Sequence, residues 1–361
     1  MNEMKIVERL NRCIKNIPCQ DIRIMEVCGT HTRAVSKSGI RYLLPPQVKL
    51  LSGPGCPVCV TPVSYIDMAI ELLNSKEILL ATFGDMMKVS GNYGSLWDKK
   101  SECAGIVVVY SPEDTIAIAS NNKDKTVVFA AVGFETTAPL IAATVKLADA
   151  CGLDNLFFLT SLKCMEPVIH FILQDERSKI HAMLCPGHVA SIKGADYFRF
   201  ITDEFHMPAV VCGFETADIT AGICLLLEQL VAKRPAAFVN LYKQCVRSSG
   251  NIAAQHILKE VFDVADGDWR GIGRIRNSAL VLNERYEYLD AAKKFGLNMN
   301  QPLIPENCLC SDILLGVKLP QQCSSFGTSC TPEHPSGPCM VSSEGSCAVH
   351  FRYGGGDGNE R

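Results

Sequence analysis

The chain has 361 residues, 35 of them basic and 38 acidic, for a formal net charge of −3, so no cationic surplus is present to neutralise a nucleic-acid backbone. With 47% hydrophobic and 20% charged residues it is not a disordered chain and can bury a sizeable core. No apolar run approaches the roughly 18–20 residues of a membrane span, and the opening MNEMKIVERLNRCIKNIP carries charge in every turn, unlike a signal peptide, so a cytoplasmic protein with no membrane partner is expected.

Short apolar runs rich in β-branched residues recur at 22–27, 48–53, 78–84, 105–110, 126–134, 156–162, 181–187 and 208–214. Continuous runs of this kind suit strands buried on both faces of a parallel sheet. Between them, SYIDMAIELLNSK and APLIAATVKLADACG have helical character. The alternation predicts α/β layers, and eight strands are enough for two such domains. From 218 to 298 the pattern reads as helical, through ADITAGICLLLEQLVAK, AAFVNLYKQCV, AAQHILKEVFD and ERYEYLDAAKKFG. Beyond 299 periodicity stops, Pro, Gly, Ser and Cys take over, and GGGDGNER reads as a frayed tail. The expected division is therefore 1–140, 141–298 and 299–361. That is two parallel-sheet α/β (Rossmann-like) domains followed by a small irregular cysteine-rich one.

Eighteen cysteines in a chain expected to stay reduced point to metal, redox chemistry or buried small apolar groups rather than to disulfide scaffolding. Six fall within the last 54 residues: Cys308, Cys310, Cys323, Cys330, Cys339 and Cys347. They lack the paired knuckles of a structural zinc site, and thiolates at wider spacings suit an iron–sulfur cluster better. Cys310, Cys323, Cys330 and Cys347 are the favoured ligands, with Cys339 the leading substitute; zinc and disulfides are the other readings.

Three further groups sit at predicted strand ends, where ligands bind in open α/β sheets. Cys28-Gly29-Thr30-His31 offers a thiol just before a possible helix N-terminus, which would lower its pKa, with His31 close enough to share the site. A buried strand-end thiol is the bland alternative. Gly53-Pro54-Gly55-Cys56-Pro57-Val58-Cys59 has the spacing of a redox or metal-binding dithiol, or of a structural turn. Asp85, His188 and the echoed Glu135 and Glu215 (Gly-Phe-Glu-Thr, 80 residues apart) are weaker candidates for the same sheet edge. No phosphate-binding loop, dinucleotide fingerprint or nucleophile elbow occurs.

MEVCGTHT (25–32), SGPGCPVCVTP (52–62), GFETTAP (133–139), CPGHVASI (185–192), WRGIG (269–273) and CSSFGTSCTPEHPSGPCMVSSEGSC (323–347) resemble the HypD family of hydrogenase maturation factors, over residues 20 to 353 or so. Ser311 stands where the family usually carries Gly after its CxC. The resemblance implies two α/β domains of similar topology and a smaller domain holding a [4Fe-4S] cluster. It implies a scaffold on which the transient Fe(CN)2CO unit of [NiFe]-hydrogenase is built. Its implied partners are a HypC-type chaperone, a HypE-type cyanide donor and, indirectly, the hydrogenase large subunit. Cys28 would ligate the nascent iron, His31 would tune that thiolate, and Cys56 with Cys59 would support redox steps. Such a protein presents a substrate to other chains rather than turning over freely, and a monomer that forms a heterodimer is expected. An iron–sulfur thiol–disulfide reductase and a zinc-stabilised binding module are the competing readings.

Overall fold

The computed structural model describes residues 3–15, 21–102, 105–232, 235–298 and 308–354. The expected tail beyond 354 lies outside them. The strands among these residues are β1 (Ile22–Glu26), β2 (Val48–Ser52), β3 (Ile78–Phe83), β4 (Ser90–Gly91), β5 (Gly94–Ser95), β6 (Ile106–Val109) and β7 (Thr126–Gly133). They continue with β8 (Leu156–Lys163), β9 (Ala182–Pro186), β10 (Ala209–Cys212), β11 (Phe238–Asn240), β12 (Phe262–Trp269) and β13 (Gly273–Leu282). All eight predicted strands form, within a residue or two at each end. The continuous apolar runs are why: β7, for instance, is buried along its whole length after Thr126.

Two compact units emerge, and the chain passes back and forth between them. The first comprises 1–56, 168–251 and 307–361; the second comprises 57–167 and 252–306. This differs from contiguous segments ending at 140 and 298, and the cysteine-rich C-terminal segment groups with the first unit rather than alone. Both units are α/β with parallel sheets.

The sheet of the first unit runs β2-β1-β9-β10-β11 with every pairing parallel. Numbered by order along the chain this is 2-1-3-4-5, so strand order reverses between β1 and β9. One core cluster joins Ile24, Leu50, Leu184 and Val210 of the strands to Leu10, Val35, Ile219 and Ile223 of the flanking helices. In the second unit the order is β6-β3-β7-β8 in parallel, extended by the antiparallel β13 and β12. The first four strands repeat the 2-1-3-4 order. Tyr65 is buried here and donates from its hydroxyl to Leu159 O at 2.8 Å.

The stretch 218–298 is not uniformly helical. Helices form at Thr216–Val231 and Ile252–Val261, but Phe238–Asn240 is an edge strand and 262–282 is an antiparallel hairpin. The hairpin is hard to read because β12 (FDVADGDW) leaves Asp263, Val264 and Gly267's neighbours unevenly exposed, so alternation is broken. A bulge between Ala265 and Gly267 adds to this. Its signal was the WRGIG turn, where Gly271 and Gly273 both take positive φ, 78° and 103°. Among the described residues no helix is long and apolar enough to cross a membrane.

Candidate functional site

Open parallel sheets bind ligands beyond the carboxyl ends of their strands, where strand order reverses. In the first unit that point lies between β1 and β9. Cys28 follows β1 and Cys185-Pro186-Gly187-His188 ends β9; Gly53-Pro54-Gly55-Cys56 follows β2, and Cys212-Gly213-Phe214 ends β10. Glycine makes this crowding possible. A Cβ on Gly55 would lie 2.3 Å from Cys28 N, and one on Gly187 would lie 2.8 Å from Cys212 O. Gly29 N donates to Gly55 O at 3.0 Å, locking the β2 loop against the Cys28 backbone.

Cys28 is the extended N-cap of the helix Gly29–Lys37. The sequence led to an acidic thiol here, and the structure reverses that. Burial, with the nearby carboxyls of Glu26 and Glu344, pushes Cys28 up to about 12, although the His31 and Thr30 amides favour the thiolate. Glu26 is itself buried and pushed up to about 7 by burial, against the pull of Ser52, Thr32 and Arg41. Its Oε1 accepts from Thr32 Oγ1 at 2.6 Å and its Oε2 from Cys28 N at 3.4 Å.

His31 is fully buried. Its Nε2 lies 2.9 Å from Gly213 O and 3.7 Å from Cys212 Sγ. A carbonyl can only accept, so Nε2 carries the proton. Burial holds the imidazole down to about 4, hence neutral, and Nδ1 is a bare acceptor with no partner in the chain among the described residues. Phe214 packs between the two imidazoles, its centroid 4.7 Å from His31 and 4.0 Å from the exposed His188.

The C-terminal segment completes this edge. Glu344 Oε1 accepts from Thr30 Oγ1 at 2.8 Å, and Cys56 Sγ donates to Ser342 Oγ at 3.3 Å. Glu26, Cys212 and Glu344 were not singled out from the sequence. An acid at the end of an apolar strand was a signal for Glu26, since such groups are buried only with partners. Glu344 had only its place as the lone acid of the motif MVSSEGSC.

The other candidates divide between the units. Cys56 closes a segment of the first unit, while Cys59, Asp85 and Glu135 belong to the second. The expectation of a single sheet edge carrying all of them is therefore corrected: Asp85 and Glu135 follow β3 and β7 of the other sheet. Asp85 is exposed. Glu135 is buried and accepts from Met165 N at 2.8 Å, a structural bond. Glu215 is exposed at the N-cap of Thr216–Val231, so the two Gly-Phe-Glu-Thr copies are not equivalent. Neither thiol of the CxxC is in a disulfide, and both are buried. Thr61 Oγ1 donates to Pro57 O at 2.9 Å, and Arg270 N, from the WRGIG turn, donates to Val60 O at 2.9 Å, so that turn anchors the dithiol loop's end.

In the C-terminal segment Cys308 and Cys310 have their sulfurs 3.1 Å apart. Cys347 is held far above the usual thiol range, first by a hydrogen bond with Cys310, then by burial and by the charges of Cys339, Cys310 and Cys308. A Cβ on Gly337 would meet the Cys308 and Cys310 sulfurs at 2.7 Å each. Cys308, Cys310 and Cys347 thus converge through hydrogen bonds, with the charge of Cys339 felt at Cys347, rather than forming a finished coordination shell; among the described residues no group of three or more Cys, His, Asp or Glu is placed to hold a metal ion. Such a set cannot ionise together without a cation, and an all-sulfur donor set fits a soft metal or an iron–sulfur cluster. Cys330 sits in a tight turn, bridged to Phe326, its Sγ accepting from Ser336 N at 3.4 Å, and Cys323 is partly exposed.

The HypD family pattern, described as the Hydrogenase formation hypA family, matches residues 3–354. The chain belongs to the HypD family. It is 38% identical over 354 residues to the hydrogenase maturation factor HypD of Escherichia coli K12, covering 97% of this chain and 95% of that one. It is 41% identical to the HypD of Rhizobium leguminosarum bv. viciae (93% and 89% covered) and 38% identical to that of Cupriavidus necator (93% and 91%). Within this HypD-family fold, the motifs that carried the resemblance fall at strand ends or in the cysteine-rich segment.

Proposed function

We propose that this HypD-family protein is a cytoplasmic scaffold for hydrogenase maturation, on which an Fe(CN)2CO unit is assembled with a HypC-type chaperone and a HypE-type cyanide donor. The observation that carries the reading is Cys28. It is a thiol at the topological switch point, placed on helix amides that favour its thiolate but held protonated by burial and by nearby carboxyls. Arrival of a cation reverses that balance, because a coordinating thiol is deprotonated outright. Low-spin iron with cyanide and carbonyl ligands takes soft thiolate donors, and the incoming iron is the substrate. His31, neutral and fixed by Gly213 O, orients beside it as a group that accepts through Nδ1.

Cys308, Cys310, Cys339 and Cys347 would hold a resident [4Fe-4S] cluster, which supplies one-electron chemistry when bound. This set exchanges Cys323 and Cys330 for Cys308 and Cys339, on the convergence of sulfurs around Cys347. Cys56 and Cys59 are a dithiol able to close to a disulfide with release of two electrons and two protons.

The test is an infrared spectrum of the protein co-purified without oxygen alongside its chaperone. Cyanide and carbonyl stretches that vanish in Cys28→Ala support the scaffold. A blank spectrum from cluster-loaded, chaperone-bound protein refutes it and moves the thiol–disulfide reductase forward, since that activity would survive loss of Cys28.

A further inference from the structure

Residues 339–347 of the first unit take part in two sites at once. The stretch begins and ends with Cys339 and Cys347, both buried and close enough for the charge of one to be felt at the other. Between them stand Ser342 and Glu344, the residues that reach the thiol edge. Ser342 Oγ accepts from Cys56 Sγ at 3.3 Å, and Glu344 Oε1 accepts from Thr30 Oγ1 at 2.8 Å. Two thiols of the cysteine-rich segment thus bracket the two contacts made with the Cys28–Cys56 edge.

The connection between the ends and the middle is short and stiff. Pro338–Val341 is one helical turn, and the helix Ser346–Tyr353 begins just before Cys347. The link between them is closed by Gly345 N donating to Ser342 O at 2.9 Å and by Glu344 N donating to Ser342 Oγ at 3.2 Å. A Cβ on Gly345 would lie 2.3 Å from Cys339 O, so the loop folds back directly on the Cys339 backbone. On the other side, a Cβ on Gly29 would lie 2.6 Å from Glu344 Cβ and 3.2 Å from Glu344 O. Glu344 therefore packs on the first residue of the helix that Cys28 caps. Contacts this close leave no slack, so a displacement of Cys339 or Cys347 is passed on to Ser342 and Glu344. Little else orders the segment: between 317 and 336 only Pro320 and Cys330 are buried. A stretch so poor in apolar burial takes its order from what its cysteines hold.

We propose, on the ground of the cluster assignment made above, that Ser342 and Glu344 are positioning residues for the Cys28–Cys56 edge, and that capture of an iron–sulfur cluster by Cys339 and Cys347 seats them there. Without the cluster the segment loosens and the edge opens; with it the edge is held closed. The thiol edge is then presented in its finished form only by protein that already carries its cluster.

The experiment compares the intact chain before and after anaerobic reconstitution with ferrous iron and sulfide, loose iron being removed with EDTA. Iodoacetamide labels Cys28 and Cys56, and mass spectrometry of the peptides gives the rate at each. Buried thiols react through local opening, so the rate follows the open population. Loading is expected to slow both thiols about 5-fold, which corresponds to one hydrogen bond of about 1 kcal/mol. In Glu344→Ala, at unchanged iron and sulfide content, the slowing is lost at Cys28 and kept at Cys56; in Ser342→Ala the pattern reverses. Glu344→Gln keeps an acceptor for Thr30 and restores the slowing at Cys28. Each comparison is a ratio of loaded to empty protein of the same variant, so a change in the intrinsic reactivity of Cys28 cancels, and either alanine variant alone carries the test. Equal rates before and after loading overturn the proposal and leave the cluster assignment standing. Slowing that persists at both thiols in both alanine variants also overturns it, because the protection then comes from elsewhere. A folded wild type that takes up no iron and sulfide overturns the cluster assignment and the proposal with it.

Discussion

Replacing Gly55 by alanine puts a methyl group where the chain has no room. The new carbon would lie 2.3 Å from Cys28 N, 2.4 Å from Cys28 Cα and 2.5 Å from Val27 C. Ordinary contact begins near 3.4 Å, so the two backbones must separate by about 1 Å. All three atoms are main chain, and no side-chain rotation relieves them. That separation stretches the 3.0 Å bond from Gly29 N to Gly55 O out of range. Overpacking of about 1–3 kcal/mol and an unpaired buried amide of about 1–3 kcal/mol give an expected loss of about 2–6 kcal/mol. With a urea dependence of about 3 kcal/mol per molar, the unfolding midpoint drops by about 1 M. Both tryptophans, Trp97 and Trp269, belong to the second unit. The assay is therefore far-UV circular dichroism, with hydrogen exchange read at the amides of β1 and β2. Gly39→Ala is the comparison. Gly39 sits at φ 70° with its nearest neighbour atom 3.8 Å away, so only left-handed strain of about 1–2 kcal/mol applies. A Gly55→Ala midpoint within about 0.2 M of wild type, or exchange in β1 and β2 unchanged, refutes the close-approach argument.

Three further outcomes are expected. Gly337→Ala intrudes on the Cys308 and Cys310 sulfurs and should lower iron and acid-labile sulfide after anaerobic reconstitution; wild-type loading would remove these two thiols from the ligand set. His350 is held down to about 4 by burial, so the unfolded chain binds its proton first. Its stabilising contribution is full above about pH 6.5 and is lost as pH falls toward 4, by about 3 kcal/mol in total, and His350→Gln should flatten urea midpoints between pH 7 and 5. Tyr65→Phe leaves Leu159 O without its 2.8 Å donor and should cost about 1–2 kcal/mol in the second unit, read by tryptophan fluorescence; a neutral substitution would show that bond to be idle.

The parallel strands were legible because burial on both faces writes one unbroken apolar run, as in β7 and β9. The β12–β13 hairpin was not, since its faces differ and Val264 stays 59% exposed on a strand otherwise rich in Asp. Cys28, His31, Cys56 and His188 were readable as strand-end residues in one unit. Cys59, Asp85 and Glu135 were readable in the same way, but strand ends do not say to which sheet they belong. Glu344 acts through a contact hundreds of residues away in sequence, to Thr30, and no local pattern records such a contact. The acidity expected of Cys28 followed from the helix amides alone; burial and two carboxyls outweigh them.

The first unit is sewn from three stretches of chain, the last beginning at residue 307, whereas everything the second unit needs has been made by residue 306. Growing from its N-terminus, the polypeptide can finish the second unit while the Cys28 edge still waits for Ser342 and Glu344. Until those residues emerge, Cys28 lacks one of the two carboxyls that keep its thiol protonated, and Cys56 lacks its Ser342 bond. The order of synthesis thus makes the Cys28 edge the last part to close.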